Sequence, residues 1–136
     1  MKVSFIIYGK PQAKQRPRVT RYGTYTPKET IFYENLVKTE YERQCGTVLE
    51  GSLKATIRAY FEVPKRTSKK KRAMMIAGKI GRTQKPDCDN LAKSILDALN
   101  SVAYRDDSQV VELHVSKGYA EIPRIECELE VLQSPE

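Results

Sequence analysis

The sequence predicts an α/β (α+β-like) fold in which helices pack on one small mixed β-sheet. Strand and helix patterns alternate along the chain with no internal repeat and no linker between them, which is typical of this class. The chain has 136 residues, which is enough to bury one hydrophobic core. We therefore expect residues 1–136 to form a single domain.

The first strand and the loop after it are marked by a change of pattern. A two-residue alternation from Val3 to Tyr8 predicts a strand that Gly9 ends. Residues 10–23 contain prolines and several cations but have no apolar periodicity. We expect this segment to be an irregular basic loop.

A helix and a second strand are predicted next. Thr26–Glu29 resembles a capping box with Pro27 at the first helical position, which predicts a helix from there to about Gln44. Apolar and polar residues alternate from Leu53 to Val63, which predicts a strand that Pro64 closes.

The second half of the chain predicts two more helices and two more strands. Ser68 is suited to cap a short helix that runs through Ala77, and residues 89–99 have a helical period. Strands are expected at Val110–Val115 and Arg124–Val131. The last strand alternates apolar side chains with glutamates, so it should have one buried face and one acidic face.

The helix predicted at residues 89–99 has two chemically different faces. At 100° per residue, its apolar side chains fall on one arc that can pack on the sheet. Asp89, Lys93 and Asp97 are spaced four apart and form a stripe on the opposite side. Asp87 lies in the turn before the helix, and Asp89 is expected at or near its N-cap.

Acidic residues are grouped around this helix in a chain whose formal net charge is +7. Asp87 and Asp89 lie at its start, and Asp106 and Asp107 follow its end. Carboxylates brought together repel one another, and a bound divalent cation relieves that repulsion. Oxygen ligands suit a hard ion such as Mg²⁺, which takes few carboxylates alongside substrate phosphates. The pattern suggests a metal site that acts on a polyanion.

Each of these acids also has an ordinary structural interpretation. Asp89 is a good N-cap, Asp97 is placed to pair with Lys93, and Asp106 and Asp107 suit a solvated turn. Because an Asp-x-Asp pair is common, the spacing alone leaves both interpretations open.

Positive charge is concentrated in the first part of the chain. Residues 1–85 contain 20 Lys and Arg against 6 Asp and Glu, whereas residues 86–136 contain 4 against 11. This asymmetry favours nucleic acid as a partner, and loops that only maintain solubility are the alternative. The candidate phosphate contacts are Lys14, Arg16, Arg18, Arg21, Lys69, Lys70, Lys71 and Arg72.

Composition argues against several other classes of protein. The three cysteines include no CxxC pair, so we expect neither a disulfide framework nor a thiolate zinc site. This cysteine usage predicts a cytoplasmic location. The apolar runs are too short for a signal peptide or a membrane span. We expect no membrane partner and no nucleotide cofactor. His114 is the only histidine and lies in a predicted strand, where a structural role is expected.

Two segments carry a family resemblance. The first is KPDCDNLAKSILDALN at Lys85–Asn100, which is followed by DDSQVV at Asp106–Val111. The second is Tyr8–Pro11 together with Lys14–Arg18. Both are similar to motifs of the RusA-type Holliday junction resolvases, and together they bracket most of the chain.

The resemblance implies a function and a set of site residues. The family consists of small homodimeric, Mg²⁺-dependent endonucleases, often prophage-encoded, with Mn²⁺ as an alternative ion. Their substrate is a four-way DNA junction, which they resolve by paired symmetric nicks in DNA recombination and repair. The positions that match the family's metal ligands and catalytic acids are Asp87, Asp89 and Asp107, with Asp106 as an accessory ligand. Lys93 matches the catalytic lysine, and Asp97 matches a position with a structural role.

Two rival functions remain open from the sequence. One is a metal-dependent nuclease with the same chemistry that acts on other branched DNA or on plain duplex. The other is a non-catalytic nucleic-acid-binding protein, in which the acids only cap helices and form ion pairs.

Overall fold

The computed structural model describes residues 1–133, which form three α-helices and six β-strands. The strands are β1 (Lys2–Tyr8), β2 (Arg18–Thr20), β3 (Gly23–Tyr25), β4 (Ser52–Glu62), β5 (Val110–Ala120) and β6 (Arg124–Gln133). The helices are α1 (Lys28–Gln44), α2 (Lys69–Ile76) and α3 (Cys88–Ala98), and a short 3₁₀ turn occupies Asp107–Gln109.

Four of the strands form one mixed sheet in the order β1-β6-β4-β5. β4 runs parallel to β5 and antiparallel to β6, with Ile57 opposite both Val115 and Cys127. The chain between β4 and β5 contains α2 and α3, because parallel neighbours need a crossover connection. This arrangement confirms the predicted fold class. β2 and β3 form a separate small hairpin.

The hydrophobic core lies between one face of the sheet and the helices. Leu53, Ile57 and Phe61 alternate along β4 and are almost completely buried, as are Leu91 and Ile95 on α3. The apolar arc predicted for α3 therefore packs into this core, while the polar side of the helix is left to solvent. Within residues 1–133, every helix is too short or too polar to traverse a lipid bilayer.

Several predicted boundaries were wrong in ways that follow from local chemistry. The basic loop is not wholly irregular, because residues 18–25 form the β2–β3 hairpin, in which the Thr20 hydroxyl donates to the Gly23 carbonyl at 2.9 Å. Thr26 does not cap α1, whose N-cap position is Pro27 and has no side-chain hydrogen bond. The last two strands extend past their predicted ends at Val115 and Val131.

The predicted N-cap was correct for α2 but lay two residues too late for α3. Ser68 caps α2 as predicted, because its hydroxyl accepts a hydrogen bond from the Lys71 backbone at 3.3 Å. Asp89 is not the N-cap of α3, which begins at Cys88 with Asp87 in the N-cap position. Asp89 therefore lies in the first turn, where a negative charge interacts favourably with the helix dipole.

Candidate active site and the cleft beside it

Asp87 follows a turn that is fastened to the sheet. The Lys117 ammonium on β5 donates hydrogen bonds to the Gln84 and Pro86 carbonyls, both at 2.9 Å. The Arg82 guanidinium donates to the Lys85 carbonyl, also at 2.9 Å. In these bonds, side-chain donors satisfy backbone carbonyl groups of the turn that have no partner in a strand. They fix the start of α3 and therefore the position of Asp87.

The side chains expected to do chemistry are exposed on α3. Burial of Leu91 and Ile95 turns the opposite side of the helix to solvent, and Asp89 and Lys93 are exposed there. Neither residue, nor Asp87, takes part in an ion pair anywhere in residues 1–133. The Asp87 carboxylate also makes no capping bond. These acids are therefore free to bind a ligand.

A cleft of about 550 Å³ opens beside Asp87. One wall is the loop at residues 10–15, and the other is the segment from Arg82 to Asn90. Its charged lining consists of Lys10, Arg82, Lys85 and Asp87. Three cations around one carboxylate make this a cleft that favours an anionic ligand while presenting an oxygen donor to a metal ion.

The other predicted acids gather at the far end of α3. The Lys14 ammonium lies 2.9 Å from the Asp97 carboxylate and 3.6 Å from that of Glu34. The hydrogen bond to Asp97 is the main reason that the pKa of Lys14 is raised. The backbone N–H of Asp107 donates to the Asn100 side chain at 2.8 Å. Burial, and then the neighbouring Asp97 carboxyl, raises the pKa of Asp107.

Asp107 contacts residues near the end of α3, whereas Asp87 and Asp89 lie at its start. α3 has 11 residues, so its two ends lie about 16 Å apart along the axis. No group of three or more His, Cys, Asp or Glu side chains within residues 1–133 is placed to hold a metal ion. The three-ligand site therefore stays a prediction. Asp87 and Asp89 alone still suit Mg²⁺, because this ion is commonly held by one or two carboxylates and completed by phosphates and water.

Asp106 has a structural role, which was one of the two interpretations that its sequence position allowed: it caps the 3₁₀ turn. Its carboxylate accepts from the Ser108 backbone at 3.0 Å, and its own N–H donates to the Gln109 side chain at 3.2 Å. These two bonds form a capping box on the 3₁₀ turn. The bond from Ser108 lowers the pKa of Asp106. Its further role as an accessory metal ligand stays a prediction.

The predicted phosphate contacts belong to two separate parts of the chain. Arg16, Arg18 and Arg21 are exposed in and beside the hairpin, and Lys69, Lys70 and Lys71 are exposed in the first turn of α2. Arg72 is half-buried, and Lys14 is held by Asp97 and Glu34. Within residues 1–133, Lys14 is the only member of the predicted set that forms an ion pair.

The sequence did not identify the cations of the cleft as site residues. Lys10 and Lys85 belong to the two motif segments, so their position beside Asp87 could have been inferred from those motifs. Arg82 lies outside both segments, and no sequence pattern marks it. Its place in the cleft depends on how the segment before α3 folds against β5.

Comparison with known proteins gives the same family as the motifs. The family described as Endodeoxyribonuclease RusA matches residues 8–130. The chain is also 37% identical over 131 residues to the uncharacterized protein YqaN of Bacillus subtilis (strain 168), an alignment that covers 91% of this chain and 92% of that protein. The family match spans the cleft, α3 and both groups of acids. On this basis the chain belongs to the RusA family of endodeoxyribonucleases.

Proposed function

We propose that this protein is a Mg²⁺-dependent endodeoxyribonuclease that resolves Holliday junctions by paired symmetric nicks, in DNA recombination and repair. The observation that carries the proposal is the unpaired Asp87 and Asp89 carboxylates at the start of α3, with Asp87 lining a cleft that also contains cations. A nuclease needs to bind a polyanion and to hold a metal ion at the same place, and the cations and free carboxylates of this cleft are suited to both tasks.

Asp87 and Asp89 are the residues that would hold the ion. Their oxygens are hard donors, and neither side chain forms an ion pair among the described residues. When bound there, Mg²⁺ would supply Lewis-acid polarisation of the scissile phosphate and a more acidic water. Asp107 keeps its predicted role in catalysis, although it lies at the other end of α3 in the single chain.

Lys93 would stabilise charge that builds up on the phosphate during cleavage. It lies one helical turn after Asp89, on the same exposed stripe of α3. A cation that is held near the reacting phosphate, and is not neutralised by a carboxylate, lowers the energy of an anionic transition state.

Paired nicks require two active sites that face one junction. We therefore propose that the protein acts as a homodimer with two-fold symmetry, which matches the symmetry of the substrate. Positive residues on the hairpin and on α2 would bind the DNA arms through their phosphates.

A cleavage assay tests this function against its rivals. Four-way junction, flap and linear duplex are each incubated with the protein in Mg²⁺ or in EDTA. Symmetric paired nicks that occur only on the junction and only with Mg²⁺ are expected. Efficient cutting of flaps or duplex would assign a different branched-DNA nuclease, and no metal-dependent product on any substrate would favour a binding protein.

A further inference from the structure

Arg82 lies on the wall of the cleft and is held there by contacts on several sides. Its backbone N–H donates to the Lys117 carbonyl at 3.4 Å, which attaches the residue to the edge of β5. Its guanidinium carbon lies 4.0 Å from the centre of the Phe61 ring. One of its terminal nitrogens donates to the Lys85 carbonyl at 2.9 Å. The planar group is therefore oriented before any ligand binds.

Most of the hydrogen-bonding capacity of Arg82 is unused. An arginine carries five N–H donors, and within residues 1–133 the Arg82 side chain makes only the bond to the Lys85 carbonyl. Its Nε is buried and has no partner among these residues. Because the buried Nε does not reach an external ligand, the donors left for a phosphate are the remaining N–H groups of the two terminal nitrogens, whose planar arrangement suits hydrogen bonds to phosphate oxygens.

Arg124 shows what a stacked arginine looks like when its role is structural. Its guanidinium carbon lies 4.5 Å from the centre of the Tyr60 ring, but its Nε also pairs with the Glu126 carboxylate at 2.8 Å. Arg82 forms no ion pair within residues 1–133, and neither does Lys10, which lines the same cleft. Glu62 lines a second cavity together with both residues but forms no ion pair with either, so no carboxylate of residues 1–133 neutralises these two cations by direct contact.

We propose that Arg82 and Lys10 form a binding site for a DNA backbone phosphate, which positions the strand against Asp87. This inference rests on the proposed function and extends it to the residues that would hold the phosphodiester backbone in position in the cleft. Arg82 is a positioning residue in this scheme: it orients a phosphate through its fork, and the acids carry out the chemistry.

Arg82→Gln tests the site, with Lys54→Gln as the matched control. Gln keeps a polar amide with N–H donors but carries no charge, and Lys54 is an exposed cation on the polar face of β4 outside the cleft. Junction binding is measured in EDTA over a range of salt concentrations, so that no cleavage is needed. Arg82→Gln should weaken binding about ten-fold and reduce the slope of log affinity against log salt by about one. The control should change neither.

Arg82→Lys separates charge from orientation. The lysine restores the positive charge, so the salt slope should return to its native value. It does not restore the planar guanidinium group, so the cleavage rate with Mg²⁺ should stay below that of the native protein. If Arg82→Gln leaves the salt slope unchanged and only lowers the melting temperature, Arg82 merely supports the turn at Lys85 and the inference is wrong. If the slope falls by one but no DNA is ever cut, the proposed nuclease function fails and the phosphate site stands.

Discussion

Replacing Asp87 by Asn asks whether the free carboxylate beside the cleft serves chemistry or folding. Asp87 occupies the N-cap position of α3, but its side chain makes no capping hydrogen bond, and it forms no ion pair within residues 1–133. Asn has nearly the same size and suits the position equally well. The free energy of unfolding should therefore change by less than about 0.5 kcal/mol, which thermal or urea unfolding can check.

The same substitution should strengthen DNA binding in the absence of metal. Two like charges about 4 Å apart in water repel by about 1 kcal/mol, and the cleft beside Asp87 is open to solvent. Removing the carboxylate should therefore tighten junction binding in EDTA about five-fold, measured by fluorescence anisotropy. Glu42→Gln is the matched control, because Glu42 is an exposed acid on α1 that does not line the cleft.

Cleavage should respond in the opposite direction. If Asp87 holds the proposed metal ion, its loss should reduce the single-turnover nicking rate by about 10²-fold or more, because the ion that would polarise the phosphate would no longer be held. Undiminished nicking by a folded Asp87→Asn protein would refute the assignment of this carboxylate to the metal. Tighter binding with lost cleavage and normal unfolding is the combination that only a catalytic acid produces.

Four further substitutions test other parts of the site. Lys93→Ala should slow single-turnover cleavage about 10²-fold and leave junction affinity nearly unchanged, because Lys93 is proposed to act on the transition state; an equal loss of affinity would make it a simple DNA contact. In salt titrations Arg18→Ala should lower the binding slope by about one, whereas Lys14→Ala should mainly lower the melting temperature, because Lys14 is bound to Asp97 at 2.9 Å. Asp107→Asn should stabilise the protein more at neutral pH than in acid: its raised pKa means that ionisation of Asp107 removes stability as pH rises through that value. Equal shifts in melting temperature at both pH values would contradict this.

The elements that could be predicted are those whose side chains enter the core. β4 was predicted to within a residue because Leu53 and Phe61 belong to an alternating series that is almost completely buried. The β2–β3 hairpin was missed because every residue in its two strands is exposed, so no apolar alternation marks it. The end of β5 was missed for a similar reason, since Lys117 and Gly118 continue an edge strand without the apolar pattern of a central one.

The candidate site was predictable only where its parts are neighbours in sequence. Asp87, Asp89 and Lys93 lie within two turns of α3, so their spacing determines their common exposure. The position of Asp107 depends on the loop after α3, in which its N–H is bound by Asn100, and no local pattern indicates which end of the helix it will approach. The position of Arg82 depends on a backbone bond to Lys117, which lies on a strand far along the chain.

The two walls of the cleft are held by different contacts, and one of these contacts suggests a role for Asp97, which lies near the end of α3. The loop at residues 10–15 is tied to α3 by the Ser94 hydroxyl, which donates to the Gln12 carbonyl at 2.9 Å, and by the ion pair between Lys14 and Asp97. The opposite wall is tied to β5 through Lys117. Because Asp97 fastens the loop that carries Lys10, its loss should widen the cleft without removing any group that touches the phosphate. We therefore expect Asp97 to affect the site through the position of the loop, which agrees with the structural role that the family resemblance implies for it.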